Sequence, residues 1–193
     1  KDYLITEYNR SPTIVDSLDN FSSQVLSRIE DPKREGAFDR RGMVIGSVQS
    51  GKTSNYTALI SKAIDAGYKL IFVIAGAHNS LRSQTQHRLN LELFGYDLER
   101  ITDYSETATR IGVRKMFLDH GNIHTLTSSD EKGDFNIKMA RQTGFWPDKS
   151  GTPIVMVIKK NVSILKHVHR WASHHGKVDE NGQKIIEDIP MLL

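Results

Sequence analysis

The chain has 193 residues, 38% hydrophobic and 25% charged, with no cysteine. This composition suits a globular chain with a real core, excludes a disulfide framework and a thiolate metal site, and holds no run near the ~20 apolar residues of a membrane helix. A formal net charge of +3 with a pI near 9.1 permits a polyanionic partner without demanding one. The polar opening KDYLITEYNR has no secretory apolar segment, so a cytoplasmic location is expected.

Residues 11–30 carry Ile14, Leu18, Phe21, Val25 and Ile29 at helical spacing, with Ser11 placed to cap the helix and Pro12 to start it. Pro32 and the charged run DPKREGAFDRR end it. GMVIG, 42–46, is expected as a short buried strand. The helix after it places Tyr56, Leu59, Ile60, Ala63 and Ile64 on one face, with Gly67 as its C-terminal cap. KLIFVIA, 69–75, is apolar almost throughout, as a central parallel strand covered on both faces would be. Asn79 or Ser80 is placed to cap the next helix, with Leu81, Thr85 and Leu89 on one side.

Between 95 and 150 the pattern weakens. TATRIGVRKMFLDHG reads as helical, NIHTLTS as a strand, and SSDEKGDFN and GFWPDKSGTP as loops. PIVMVIKK is a further strand, Asn161 caps a helix to about Ser173, and EDIPMLL opens another strand. Alternating strands and helices predict an α/β fold with an open, mainly parallel sheet flanked by helices, whose ligands bind at the carboxyl ends of the strands.

Gly46, Ser47, Val48, Gln49, Ser50, Gly51, Lys52 and Thr53 match GxxxxGK(S/T), the P-loop. Glycines let successive backbone N–H groups face one concavity, and the following helix aims its positive end at the same anion. Lys52 is expected to reach the β- and γ-phosphates of ATP, and the Thr53 hydroxyl to ligate Mg²⁺. Such a match arises by chance in under about one in a hundred chains of this length. Hydrolysis also needs an acid at the end of another apolar strand, and neither KLIFVIAGAH nor IVMVIKKN supplies one. Asp130 and Glu131 follow a more polar strand.

The stretch 41–90 resembles the Z-one domain of proteins classed as bacterial endonucleases, through the VQSGKT loop at 48–53 and the block Ala75, Gly76, His78, Asn79, Leu81, Arg82, Gln84, Thr85, Gln86 and Arg88. PIVMVIKKNVSILKHV resembles a third block more loosely. The family is similar to the first motor domain of superfamily-two helicases, of the P-loop NTPase (RecA-like) fold. The resemblance implies ATP and Mg²⁺ at the loop, and a nucleic-acid backbone gripped after 69–75 and again at Lys159, Lys160 and Asn161. It also implies an acidic motif after a strand like IPMLL. The chain stops before that motif, so an N-terminal fragment is expected, with residues 1–40 a helical segment and 41–193 the motor domain. A second motor lobe and a nuclease part would lie downstream or in a partner.

Asn79, Arg82, Gln84 and Gln86, with Lys159, Lys160 and Asn161, are therefore the candidates for DNA contact, through amide, guanidinium and ammonium groups that donate to phosphate oxygens without reading bases. Phe145 and Trp146 are placed either to stack on bases or, more simply, to pack a long loop. His167, His169, His174 and His175 lack HExxH and a nearby carboxylate at ligand spacing, so no metal is assigned to them. Asp130–Lys132 and Asp31–Lys33 fit only half of a nuclease pattern, so cleavage is not assigned to this chain either. The function expected is an ATP-driven, helicase-like motor domain of a restriction or defence endonuclease. A small-molecule P-loop kinase and a non-catalytic nucleotide switch are the alternatives.

Overall fold

The computed structural model describes residues 1–45, 51–97, 110–117, 121–146, 151–178, 180, 182, 184–186 and 189–193, without the side chain of Lys52. The chain divides into two compact units, Lys1–Gly67 and Tyr68–Leu193. The boundary expected at 40/41 falls inside the first.

The first unit is helical. A short helix α1 (Asp2–Thr6) buries Tyr3, whose ring meets Tyr8 edge-on at 5.7 Å. In α2 (Pro12–Leu26) the expected start holds: Ser11 caps Ile14 N–H at 3.4 Å and Pro12 occupies the first turn. The buried stripe is not the one the apolar spacing suggests. Val15 and Ser22 are buried, whereas Ile14 and Phe21 are 53% and 38% exposed. One residue along a helix is about 100° of rotation, so the helix has turned to bring Val15, Asp19 and Ser22 inward. Polar contacts to α3 (Lys52–Ala66) go with that turn: the Lys62 ammonium donates to the Asp19 carbonyl at 2.6 Å and to Ser23 Oγ, and pairs with the Asp19 carboxylate at 2.7 Å. A second cation, Lys1, lies 2.9 Å from the same carboxylate. Hydrogen bonds from Lys62 first and Lys1 second hold Asp19 down to about 2. Gly67 closes α3 in the left-handed region, at φ 119°, its N–H returning to Ala63 and Ile64.

The strand expected at 42–46 does not form over its described residues. Residues 42–45 carry no strand, and Met43, Val44 and Ile45 are 83%, 51% and 84% exposed. A three-residue apolar run signals burial only when a ladder partner fixes its backbone, and periodicity alone cannot supply one.

The second unit is a small mixed α/β body built on a parallel three-stranded sheet. Strand β1 (Leu70–Ile74) lies between β2 (Ile154–Ile158) and β5 (Met191–Leu192). The register runs Leu70 to Ile154 through Ile74 to Ile158 on one side, and Leu70 to Met191 on the other. All five β2 residues are buried, each side chain contributing on the order of 2 kcal/mol by leaving water. On one face Leu70, Phe72, Ile154, Met156 and Ile158 form the core with Phe135 and Ala140 of α6 and the loop before it (α6, Ile137–Thr143), and with Val168 and Trp171 of α7 (Val162–His174). Ile71, Val155 and Val157 alternate to the other face and are buried too. Helix α4 (Asn79–Leu89) lies against β2 and runs on through a π-helical turn, Asn90–Phe94, that Gly95 ends.

The remaining elements are short: α5 (Val113–Met116) and an antiparallel pair, β3 (Lys177–Val178) with β4 (Lys184–Ile185). The strand expected at 122–128 is reduced to a parallel bridge from His124 to Ile154. His124 exchanges backbone bonds at 2.9 Å with Pro153 and Val155, but the next ladder position goes to a side chain: Val157 N–H donates to Thr127 Oγ1 at 3.0 Å.

Candidate nucleotide and nucleic-acid site

Of the predicted nucleotide loop, residues 46–50 and the Lys52 side chain lie outside the described residues; Gly51 and Thr53 lie within them. Gly51 has φ 76° and ψ 21°, the left-handed conformation that glycine adopts without strain. Helix α3 begins at the next residue, with no side-chain cap and no acid in its first turn. Its positive end is thus neither hydrogen-bonded nor neutralised by its own first-turn side chains, which favours an anion. Thr53 stands in that first turn, partly exposed, its carbonyl accepting from Thr57 Oγ1 at 2.9 Å.

The second set of candidates gathers at the carboxyl ends of β1 and β2. The two strand ends are tied where Ala75 N–H donates to Ile158 O at 2.9 Å and Lys160 N–H to Gly76 O at 2.6 Å. The Asn79 amide oxygen accepts from Lys159 Nζ at 2.6 Å, so residues 80 positions apart in sequence meet at the sheet edge. Lysine only donates, so the Asn79 amide must turn its oxygen to it and its NH₂ elsewhere. The Lys159 N–H points to the Asp134 carboxylate at 3.3 Å, and Asp134 also accepts from Phe135 N–H at 2.7 Å. His78, not Asn79 or Ser80, is the residue before the helix, and it makes no side-chain cap. Asn79 instead spends its oxygen on the neighbouring turn.

Arg82 and Gln86 are elsewhere. Both side chains are 0% exposed. The Arg82 guanidinium fans into the loop 128–133, donating to the carbonyls of Ser128 at 2.7 Å, Gly133 at 3.3 Å and Asp130. Gln86 donates to Asn90 Oδ1 at 3.0 Å and accepts from Thr127 Oγ1 at 2.8 Å, the same hydroxyl that caps the Val157 N–H. These two residues hold the loop and the edge of β2 in place. They do not face solvent, and the outward-facing candidates are Asn79, Gln84 and Lys160, with Lys159 partly exposed. Asn161 is exposed but caps α7, its Oδ1 accepting from Ser163 N–H at 2.9 Å and Ile164 N–H at 3.3 Å.

Sequence reasoning missed the buried polar network: Arg82, Gln86 and Asn90, with Thr127 and with Ser129, which donates to Asp97 at 2.8 Å. Its signal was present as residues 82, 86 and 90 spaced by four, in the same stripe as Leu89 and Leu93. Trp146 packs as a loop anchor: its ring stacks on His175 at 3.8 Å and 11° and meets Trp171 edge-on at 4.9 Å. Phe145 stacks on His124 at 4.5 Å. Burial, and then the neighbouring His174, push the His175 imidazole below its usual value, in keeping with a neutral ring against an indole. Among the described residues no cluster of histidine and carboxylate groups could hold a metal, and no helix is long and apolar enough to cross a membrane. Comparison of the chain with known protein families, with curated proteins and with solved structures finds no match.

Proposed function

We propose that the chain is an ATP-binding, helicase-like P-loop domain of a DNA endonuclease of the restriction or defence type, as its resemblance to the Z-one domain implies. The observation that carries the reading is the GxxxxGK(S/T) motif running into a helix. The motif's last glycine is left-handed, and the helix behind it starts with no cap and no acid. Gly46 to Thr53 would hold the triphosphate, Lys52 the γ-phosphate charge and Thr53 the Mg²⁺, which would supply neutralisation of the phosphate charge. Nucleic acid would lie on the other candidate surface, where Asn79, Gln84, Lys159 and Lys160 offer donors at the strand ends, the edge at which open parallel sheets take ligands. A second lobe and a nuclease part would be supplied by other sequence or by a partner.

The test is nucleotide binding by a fluorescent ATP analogue with Mg²⁺. Lys52→Ala is expected to weaken binding by at least ~10-fold, since the phosphate tail loses its only point charge from the motif. Equal binding by the parent and Lys52→Ala would remove the assignment. Product analysis separates the alternatives. Phosphate release accelerated by DNA marks a motor, transfer to a small acceptor a kinase, and nucleotide-dependent association without turnover a switch.

A further inference from the structure

Helix α7 has two unlike faces. Val168 and Trp171 enter the core, with Ile164 packed against it. On the outer side Lys166, His169, Arg170 and His174 line an open groove of about 990 Å³, with Arg141 of α6 and Lys184 of β4 on its walls and Val162, Leu165 and Ser173 completing it. Among the described residues the lining holds four fixed cations and two histidines and no carboxylate, against a formal net charge of +3 for the whole chain. Arg141, Lys166, Arg170 and Lys184 are all exposed, and among the described residues none of them pairs with an Asp or Glu. Lys184 Nζ donates to the Ser173 carbonyl at 3.0 Å, which fixes one wall to the end of α7.

Like charges four residues apart repel on a helix. A merely solvated helix face relieves this by alternating signs. On α7 positions 166, 170 and 174 are Lys, Arg and His, without an interleaved acid. Each step rises about 6 Å along the axis, a spacing over which successive phosphates of an extended strand can be met. The lining draws on α6 and β4 as well as α7, which suits a strand laid along α7.

We propose that this groove binds the sugar–phosphate backbone of a nucleic acid strand, independently of base sequence. It shares no residue with the nucleotide loop or with the β1–β2 edge, so it stands whether or not the chain binds ATP.

The experiment measures anisotropy of a fluorescein-labelled oligothymidylate of about 20 nucleotides with the 193-residue chain, without nucleotide, between about 50 and 200 mM KCl. A logarithmic salt slope near −3 is expected for four neutralised phosphates of a single strand. Lys166→Glu with Arg170→Glu should weaken binding at least ~10-fold and reduce the slope by about 1.5. Arg28→Glu with Lys33→Glu, the same charge change on exposed residues of the first unit, should cost under about 3-fold. Circular dichroism checks the fold. Should the charge-reversed pair unfold, Lys166→Gln with Arg170→Gln must weaken binding in the same direction. Unchanged affinity in a folded groove variant overturns the proposal. So does competition by poly-glutamate or phosphatidylserine vesicles equal to that of the oligonucleotide at matched charge, because the partner would then be an acidic protein or a lipid surface.

Discussion

Arg82→Met separates the two roles that a cation at the start of α4 can have. The parent side chain is fully enclosed and gives its guanidinium hydrogens to three carbonyls of the loop 128–133. Methionine refills most of the aliphatic volume, so the cavity term is small. What is lost is three charge-assisted bonds, although Gly133 O still accepts from Ser128 N–H at 2.8 Å and Asp130 O from Gly133 N–H at 2.9 Å. Bonds to a charged group are worth about 1.5–3 kcal/mol each, and release of the buried cation's desolvation returns part of that, for a net loss of about 3 kcal/mol. In a chain of this size the midpoint of thermal unfolding should fall by about 6–12 °C. Arg82→Lys keeps the charge but not the fork, and should lose about half as much. Thermal unfolding followed by circular dichroism measures both, and limited proteolysis should show the loop around Asp130 opening first. If Arg82→Met melted within about 2 °C of the parent while losing oligonucleotide affinity, the side chain would be a phosphate grip and the scaffold role would be wrong.

Thr127→Val should destabilise by about 2 kcal/mol, because Val157 N–H and Gln86 Oε1 both lose the Thr127 hydroxyl; denaturant titration reads it, and an unchanged midpoint would mean water replaces the hydroxyl. Gly112→Ala should be worse than an ordinary glycine substitution. Its φ is 50°, and an added Cβ would stand 2.0 Å from the Leu91 carbonyl oxygen, so a folded variant of parental stability would contradict the contact. Asp19 titrates at about 2 against an ordinary 3.8. A carboxylate lowered in the folded state adds stability that is complete above the unfolded value and disappears as pH falls through the folded one. Asp19→Asn should therefore flatten the acid side of the stability profile between about pH 4 and 2, while identical acid profiles would show that the Lys62 and Lys1 contacts do not couple to folding.

The elements that sequence reading located best are those in which local and tertiary signals agree. β1 and β2 are continuous apolar runs, and β2 is buried throughout and β1 over Leu70–Phe72, with Ile74 exposed at its end; Ser11, Asn161 and Gly67 act as the caps their chemistry suits. Elsewhere the decisive partner lay far away in sequence. Residues 42–45 have an apolar composition but no strand. The stripe of α2 is turned by Lys62, more than 40 positions on. Residues 122–128 keep one bridge at His124 and then bend at Leu126, and Thr127 replaces a ladder acceptor with its own hydroxyl, which no alternation of residue types announces.

The block from Asn79 to Arg88 is the clearest instance. As a string it is a row of phosphate-binding side chains. Wound into α4, positions 82, 86 and 90 share one face and become girders, 84 falls on the opposite side, and 79 stays exposed because it opens the helix at its first position. The two sets are nevertheless coupled. Arg82 fixes the loop through Ser128, Asp130 and Gly133; the same loop ends in Asp134, whose carboxylate takes the Lys159 N–H; and Lys159 Nζ takes the Asn79 oxygen. An arriving phosphate oxygen would therefore meet two oriented donors, the remaining Lys159 hydrogens and the Asn79 NH₂, held apart from collapse by a network it never touches. On this reasoning Asp134→Asn, which weakens the acceptor for the Lys159 N–H without touching the ligand, should reduce oligonucleotide affinity by about 2- to 5-fold, with the salt slope unchanged. A changed slope would mean that Asp134 acts through its charge on the phosphates rather than by positioning Lys159.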